Sequence, residues 1–504
     1  MSALRKLLSD TMIYGLSTIV ARVLNFLLTP LFVAKFSAQV YGIFTHLYAY
    51  TAMLNAVLAF GMETTYFRYL QRVDKKDQDR VFDTSFLITV VTSALFLLTM
   101  FAFTEPIAIW LGGSESVAKT QDYLFYVKVF SGILVADALA VVPFARLRSD
   151  GRPIRYGVIK LVNILVQIFC ILFLLYLLPA LIEKSIFWQN FAHSWYNEGW
   201  LGNVFIANFI ASIATLFFLI PQLRNFRWRV DKRLLWSMLN YSFPILIANI
   251  SFIINEHLDK MMFLKLVPGV EGERELGVYG AVAKIAVFLN LFVTAFRLGV
   301  EPFFFSYAKN ENARKTYALI MDYFIIAMVV VMIGVSANME WLKHFIRGTA
   351  EQKEIYWSGL FIIPVLLFNN ILLGIYMNLS VWYKLSDQTR YALYISGIGA
   401  VITIILNFIF IPEYSYLGAA LSTTVAYACM VFISFFWGQK NYPIPYHRMK
   451  NILYVFSGTV FSFFIFYVLD SDFWWSNLLF LFFIVIVIFL EKNVALKVFR
   501  KSDF

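Results

Sequence analysis

The sequence predicts an all-α polytopic membrane protein with 14 transmembrane helices. They form two parallel six-helix repeats around a central cavity, followed by two C-terminal helices. Three observations carry that reading. Of the 504 residues, 60% are hydrophobic and only 14% charged, whereas a soluble chain of this size carries about 25% charge. Apolar stretches of the length that a bilayer requires, about 20 residues, recur from one end of the chain to the other. Residues of the second half repeat residues of the first at a fixed offset.

In chain order the spans are expected at 12–33, 40–62, 84–104, 122–142, 156–178, 200–220, 239–262, 278–300, 317–337, 357–379, 389–409, 416–436, 451–469 and 474–491. The last two are divided only by the short turn Asp470–Asp472. Basic residues test the topology, because cytoplasmic loops are enriched in them. Of the 42 Lys and Arg, 29 fall in alternate loops and the termini, and 8 in the loops between. That alternation places both termini in the cytoplasm. The opening MSALRKLLSD has no small-residue cleavage site after a short apolar core, so the first span is expected to be retained. The net charge of +11 is explained by these inner loops, and no nucleic-acid partner is expected. Cys170 and Cys429 both sit in apolar spans, suggesting neither a disulfide framework nor a metal cluster.

Tyr41, Gly42, Gly61, Glu63, Phe67 and Tyr69 recur as Tyr279, Gly280, Gly299, Glu301, Phe305 and Tyr307, each 238 residues later. Leu7, Leu8 and Tyr14 recur as Leu234, Leu235 and Tyr241 at an offset of 227, so the second repeat carries an insertion near Pro268–Leu276. Six spans per repeat is an even number, which makes the halves parallel about an axis along the membrane normal. The expected organisation is an N-terminal lobe (1–222), a cytoplasmic inter-lobe linker (223–238), a C-terminal lobe (239–440), and two added helices with a tail (441–504). In the linker, Leu223–Trp236 alternates basic and bulky apolar residues, predicting a helix on the anionic inner surface. The outer loop 179–199, rich in Trp, His and Asn, reads as an interfacial aromatic belt, with contact to an extracellular sugar as the alternative.

Charged groups inside hydrocarbon usually face a bundle interior or a wet cavity. Glu256, Asp259 and Lys260 are spaced i, i+3, i+4 and share one helix face. With Asp137 they are assigned to ion coupling or gating, with H+ or Na+ as the candidate ion and no other cofactor. Thr18, Arg22, Asn25 and Thr29 form a polar stripe on the first span. Arg22, Asn25, Lys128, Lys284 and Arg297 are assigned to an anionic head group, since guanidinium binds phosphate through paired hydrogen bonds and ammonium acts as a compact charge. Blander roles exist for several of these residues. Glu256 and Lys260 suit an internal i, i+4 pair, Arg297 and Glu301 suit snorkelling to the inner interface, and Glu63 and Asp83 suit helix ends. Pro30 and Pro244 are hinge candidates. No Walker, HExxH or zinc-ligand spacing occurs, and no catalytic constellation is visible, so no enzyme is expected and secondary transport is favoured.

Three segments carry a family resemblance: TMIYGLSTIVARVLNFLLTPLFVAKFSAQVYGIFTHLYAY, HLDKMMFLKL with LGVYGAVAKI after it, and YSYLGAALSTTVAYA. Over nearly its whole length the chain resembles the polysaccharide-biosynthesis, oligosaccharide-flippase branch of the multidrug/oligosaccharidyl-lipid/polysaccharide exporter (MOP) superfamily. The resemblance implies two six-helix lobes in the bacterial inner membrane. It implies that a prenyl-pyrophosphate-linked oligosaccharide, an O-unit or capsular repeat, is flipped to the outer leaflet by alternating access. Arg22 corresponds to a basic residue that relatives place in their first span. The partners implied are the lipid-linked oligosaccharide, membrane lipids, and the glycosyltransferases and polymerase of the same pathway. The alternatives are a lipid II or related cell-wall precursor flippase, a multidrug/cation antiporter, and a non-transporting scaffold of a polysaccharide-synthesis complex. An Arg-Asp-Gly triplet in the first span would support lipid II, but Arg22 is followed here by Val23 and Leu24.

Overall fold

The computed structural model describes residues 3–501 apart from 75, 76, 113–115, 225, 230, 309 and 387, and leaves out the side chains of 3–13, 298, 302, 306 and 493–501. Arg5, Lys6, Lys75, Lys76, Lys309, Lys497, Arg500 and Lys501 of the loop count, and Leu7 and Leu8 of the repeat, therefore lie outside the described side chains.

Among the described residues all regular structure is helical. The first half comprises α1 (Ala3–Leu27), α2 (Thr29–Lys35), α3 (Ala38–Ala59), α4 (Met62–Leu70), α5 (Gln78–Ala102), α6 (Thr104–Gly112), α7 (Thr120–Ser149), α8 (Pro153–Leu172), α9 (Leu178–Lys184), α10 (Ile186–Ala192) and α11 (Gly202–Leu223). The second half comprises α12 (Lys232–Leu266), α13 (Gly269–Tyr307), α14 (Ala313–Ala337), α15 (Met339–Leu342), α16 (Ala350–Trp357), α17 (Ile363–Leu379), α18 (Val381–Leu385), α19 (Arg390–Asn441), α20 (Arg448–Tyr467) and α21 (Phe473–Lys501). Thirteen helical stretches among the described residues are long and apolar enough to cross a bilayer.

The expected eleventh and twelfth spans run together in α19, which has 52 residues. At 1.5 Å per residue a straight helix of that length would reach about 78 Å, against a hydrocarbon core of about 30 Å. It is not straight. Ser415 leaves the helical region (φ 52°, ψ −133°) three residues after Pro412, which cannot donate a helical hydrogen bond. Two other spans are also broken. The first stops at Leu28 and restarts as α2 with Pro30 in its opening turn. The second stops at Phe60 and Gly61, both left-handed (φ 47° and 63°), and restarts as α4.

The expected helix over Leu223–Trp236 is not formed. α11 ends at Leu223, residues 226–229 are irregular, and α12 begins only at Lys232. Asp231 sets that start by accepting the N–H groups of Arg233 and Leu234 at 3.0 and 3.1 Å, the usual action of an N-cap carboxylate.

The chain forms two compact units, residues 1–280 with 403–416, and residues 281–402 with 417–504. In the first, α11 lies against α7 and α8, α1 against α8, α5 and α6 against α7, and α12 against α3. Its core near the basic loops joins Met62, Tyr66, Phe82, Phe86, Val142 and Met238. In the second, α14 packs on α17, α20 and α21. Long exposed rows such as Leu95, Leu98 and Phe101 on α5, or Ile452, Phe456 and Val460 on α20, are surfaces suited to lipid.

Two pairs of positions related by the sequence repeat have matching partners. Glu63 pairs with Arg148, and Glu301 pairs with Lys384 at 2.6 Å. Asp83 on α5 and Asp322 on α14 are both buried. Asp83 accepts the backbone N–H of Arg227 at 3.1 Å, and Asp322 lies 2.6 Å from Nδ1 of His447. Asp83 thereby ties down the segment between α11 and α12, and Asp322 the segment between α19 and α20.

Candidate functional site

The face predicted on α12 divides into two environments. Asp259 is buried, and its Oδ2 accepts the hydroxyl of Tyr279 at 2.6 Å. Lys260 donates from Nζ to both carboxylate oxygens, at 3.1 and 2.9 Å. Neighbouring residues on a helix do not normally face each other. Here Tyr279, from α13, draws the two groups together, with the ammonium 4.8 Å from the centre of its ring. Glu256 remains half-exposed, with Nε2 of His257 at 3.9 Å, beyond hydrogen-bond range. The internal pair is therefore Asp259–Lys260, and not the i, i+4 pair Glu256–Lys260.

Residues of α3 complete this cluster. His46 is fully buried, and its Nδ1 lies 2.9 Å from the carbonyl of Lys260. A carbonyl only accepts, so Nδ1 carries the proton and Nε2 is left as an acceptor, buried without a partner among the described residues. Four residues on, Tyr50 donates to the carbonyl of Met261 at 3.1 Å.

The backbones of α3 and α13 meet beside it. A Cβ on Gly277 would fall 1.8 Å from the carbonyl oxygen of Ala38, and one on Gly42 would fall 1.9 Å from that of Glu273. Only glycine permits this approach. Buried Glu273 accepts the hydroxyl of Ser116 at 2.5 Å and the N–H of Val117 at 3.1 Å. Glu275 accepts the hydroxyl of Ser415, and Lys265 donates to the carbonyl of Trp110. These contacts fasten residues 38–50, Trp110, Ser116 and Val117 to 259–280, at the span ends remote from the basic loops. Asp259 is shared by an ammonium and a phenol, so a proton or cation arriving at its carboxylate would compete with both.

The remaining predicted residues lie elsewhere. Arg22 and Asn25 are exposed on α1, while Thr29 is buried and the hydroxyl of Thr18 turns back to the carbonyl of Tyr14 at 2.9 Å. Lys128 is exposed on α7. A cation exposed midway along a spanning helix is stable against water or an anion and not against lipid. Asp137 accepts from Ser212 at 2.9 Å and feels the charge of Lys160, whose Nζ sits 4.4 Å from the ring centre of Phe144. Lys284 and Arg297 belong to the second unit. There Nη1 of Arg297 lies 3.9 Å from the sulfur of Met377, beside a small cavity also lined by Glu301, Asn378 and Lys384. Pro244 lies inside α12 without ending it, whereas Pro30 opens α2. Among the described residues, no group of three or more His, Cys, Asp or Glu is placed to hold a metal ion. The second unit also holds an apolar groove of about 670 Å³, lined by Phe368, Leu372, Phe432, Phe435 and Phe456, with Arg448 and Asn451 among its few polar groups.

Residues that sequence reasoning passed over include His46, Tyr50, Glu273 and Ser116. The one available signal was a histidine four residues before a tyrosine on an otherwise apolar span.

The MatE family model matches residues 244–409. A curated protein of Haemophilus influenzae named for the Lsg locus is 18% identical over 310 residues, covering 61% of this chain and 68% of that protein. Among solved structures, the lipid II flippase MurJ in an inward closed conformation superposes with a TM-score of 0.72 at 14% identity, over 96% of this chain and 100% of its own. An inward-facing multidrug resistance MATE family transporter of the MOP superfamily superposes with a TM-score of 0.59 at 12% identity, over 88% of this chain and 95% of its own. At these identities the structural likeness establishes a shared fold.

Proposed function

We propose that the chain is a MOP-superfamily transporter that flips a prenyl-diphosphate-linked saccharide from the inner to the outer leaflet by alternating access, a reading supported by the MatE match over residues 244–409 and by the superpositions on a lipid II flippase and a MATE transporter. The observation that carries this reading is the superposition on a lipid II flippase over 96% of the chain. Its TM-score of 0.72 exceeds the 0.59 of the MATE transporter, which favours a lipid-linked glycan over a drug. The same comparison favours lipid II as the cargo. Sequence resemblance favours an O-unit or capsular repeat, and Val23 and Leu24 after Arg22 count against lipid II. Counting α19 as two crossings at Ser415 raises the thirteen candidate spans to fourteen, which supports reading two six-helix lobes plus two added helices. The matched pairs Glu63–Arg148 and Glu301–Lys384 support the repeat.

In this reading the protein resides in the bacterial inner membrane with both termini cytoplasmic. Arg22, Asn25, Lys128, Lys284 and Arg297 receive the diphosphate head, while the prenyl tail stays in lipid. Asp259 and Lys260, with Glu256 and Asp137, couple H+ or Na+ to the gate. Glycosyltransferases and a polymerase are the expected pathway neighbours.

The test is native mass spectrometry of the gently purified protein, followed by flipping assays in vesicles with each lipid-linked substrate. A retained prenyl diphosphate bearing sugars is expected, and its sugar mass separates lipid II from a repeat unit. Failure to bind or move either substrate, with drug-driven ion exchange in its place, would overturn the proposal.

A further inference from the structure

The loop between α11 and α12 holds a charged concavity that the transport reading does not use. Its backbone is held from within. Leu223, Phe226, Leu234 and Leu235 pack on the core around Phe86 and Met238, with the Phe226 and Phe86 rings edge-to-face at 5.0 Å. Asp83 accepts the N–H of Arg227. The basic side chains are therefore presented outward from a fixed frame.

Between this loop and the first turns of α5 lies a concavity of about 450 Å³, lined by Arg80, Thr84, Arg229, Asp231, Lys232 and Arg233. Four of those six side chains are cations. The lone acid, Asp231, already accepts two backbone N–H groups as the cap of α12, and Arg80 lies 3.4 Å from Asp77. Two helices begin at this rim, and their N-termini add positive partial charge. Trp228 and Trp236, which flank the lining residues Arg229, Asp231, Lys232 and Arg233 in the chain, are 70% and 65% exposed, and tryptophan settles at head-group depth.

We propose that this concavity binds a phosphate group at the membrane face, presented by an anionic phospholipid. The basic lining provides the charge, and the two indoles set the depth. Soluble phosphate has the same chemistry and is the second source to distinguish.

The full chain in neutral detergent is titrated with phosphatidylglycerol or phosphatidylcholine and bound lipid is read by native mass spectrometry. Arg229→Gln and Lys232→Gln are compared with Arg224→Gln, which removes the same charge from the same loop but outside the concavity. Phosphatidylglycerol affinity is expected to fall about fivefold for each lining charge removed and to stay near wild type in Arg224→Gln. Equal losses in all three variants, or equal binding of the two lipids, would overturn the site. Inorganic phosphate added as competitor assigns the source. Displacement of the lipid identifies a general phosphate site, and retention identifies a head-group site. Because the ligand is an ordinary phospholipid, this outcome is independent of which cargo is flipped.

Discussion

Gly277→Ala isolates the crossing of α3 and α13. The added carbon would sit 1.8 Å from the carbonyl oxygen of Ala38 and 3.0 Å from the nitrogen of Gly42. Carbon and carbonyl oxygen tolerate an approach of about 3.3 Å, so the two backbones must part by about 1.5 Å. Alanine inside a helix gains about 1 kcal/mol over glycine, and forcing a methyl into a packed contact costs about 1–3 kcal/mol. Gly299 on the same helix has nothing within 4 Å of its would-be Cβ, so Gly299→Ala keeps the gain and supplies the control. Gly277→Ala should be less stable than Gly299→Ala by about 1–3 kcal/mol, and parting the helices should loosen Glu273 from Ser116. Cys170 and Cys429 are free thiols within spans, so a thiol-reactive dye reports unfolding in both variants. If Gly277→Ala melts at or above Gly299→Ala, the close approach of the two backbones is wrong.

Three further outcomes follow from other sites. Tyr279→Phe removes the 2.6 Å hydrogen bond to Asp259 and should lower stability by about 1.5–3 kcal/mol; unchanged melting would mean that Lys260 alone satisfies the carboxylate. Tyr196 donates to the carbonyl of Leu174 at 2.8 Å, and burial, reinforced by Glu198, pushes its phenol up to about 12. The folded protein keeps that proton while the unfolded chain releases it near pH 10, so the contribution is complete below pH 10 and is lost as the pH rises towards 12. Tyr196→Phe should flatten this part of the alkaline stability curve, and a superimposable curve would refute the assignment. Arg22→Gln should abolish flux at normal protein abundance, and Glu256→Gln should blunt the response to an imposed proton or sodium gradient; wild-type behaviour in either removes that residue from its proposed role.

Much of the architecture was legible because hydrocarbon imposes simple rules. The apolar runs marked the helices, and the break at Ser415 within α19 falls between the expected eleventh and twelfth spans. The face bearing Asp259 and Lys260 was readable from spacing. Its true partners were not, because Tyr279 and His46 look like packing residues until α3 and α13 are brought beside α12. The linker misled for a related reason. Its alternating pattern suggested an amphipathic helix, yet Asp231 starts the following helix at Lys232 and Asp83 holds the irregular segment by the backbone of Arg227.

The tether on Asp83 also concerns how the chain is made. Its donor, Arg227, lies 144 residues downstream. At a synthesis rate of about 5–20 residues per second, the carboxylate waits about 7–29 s before its partner exists. Asp322 and His447 repeat the situation over 125 residues. During each interval the start of a spanning helix holds an acid whose native partner has not been synthesised. The Asp83 and Asp322 tethers can therefore form only after Arg227 and His447 have been synthesised, so these two contacts are timed by translation and not by the insertion of the helices that carry the acids.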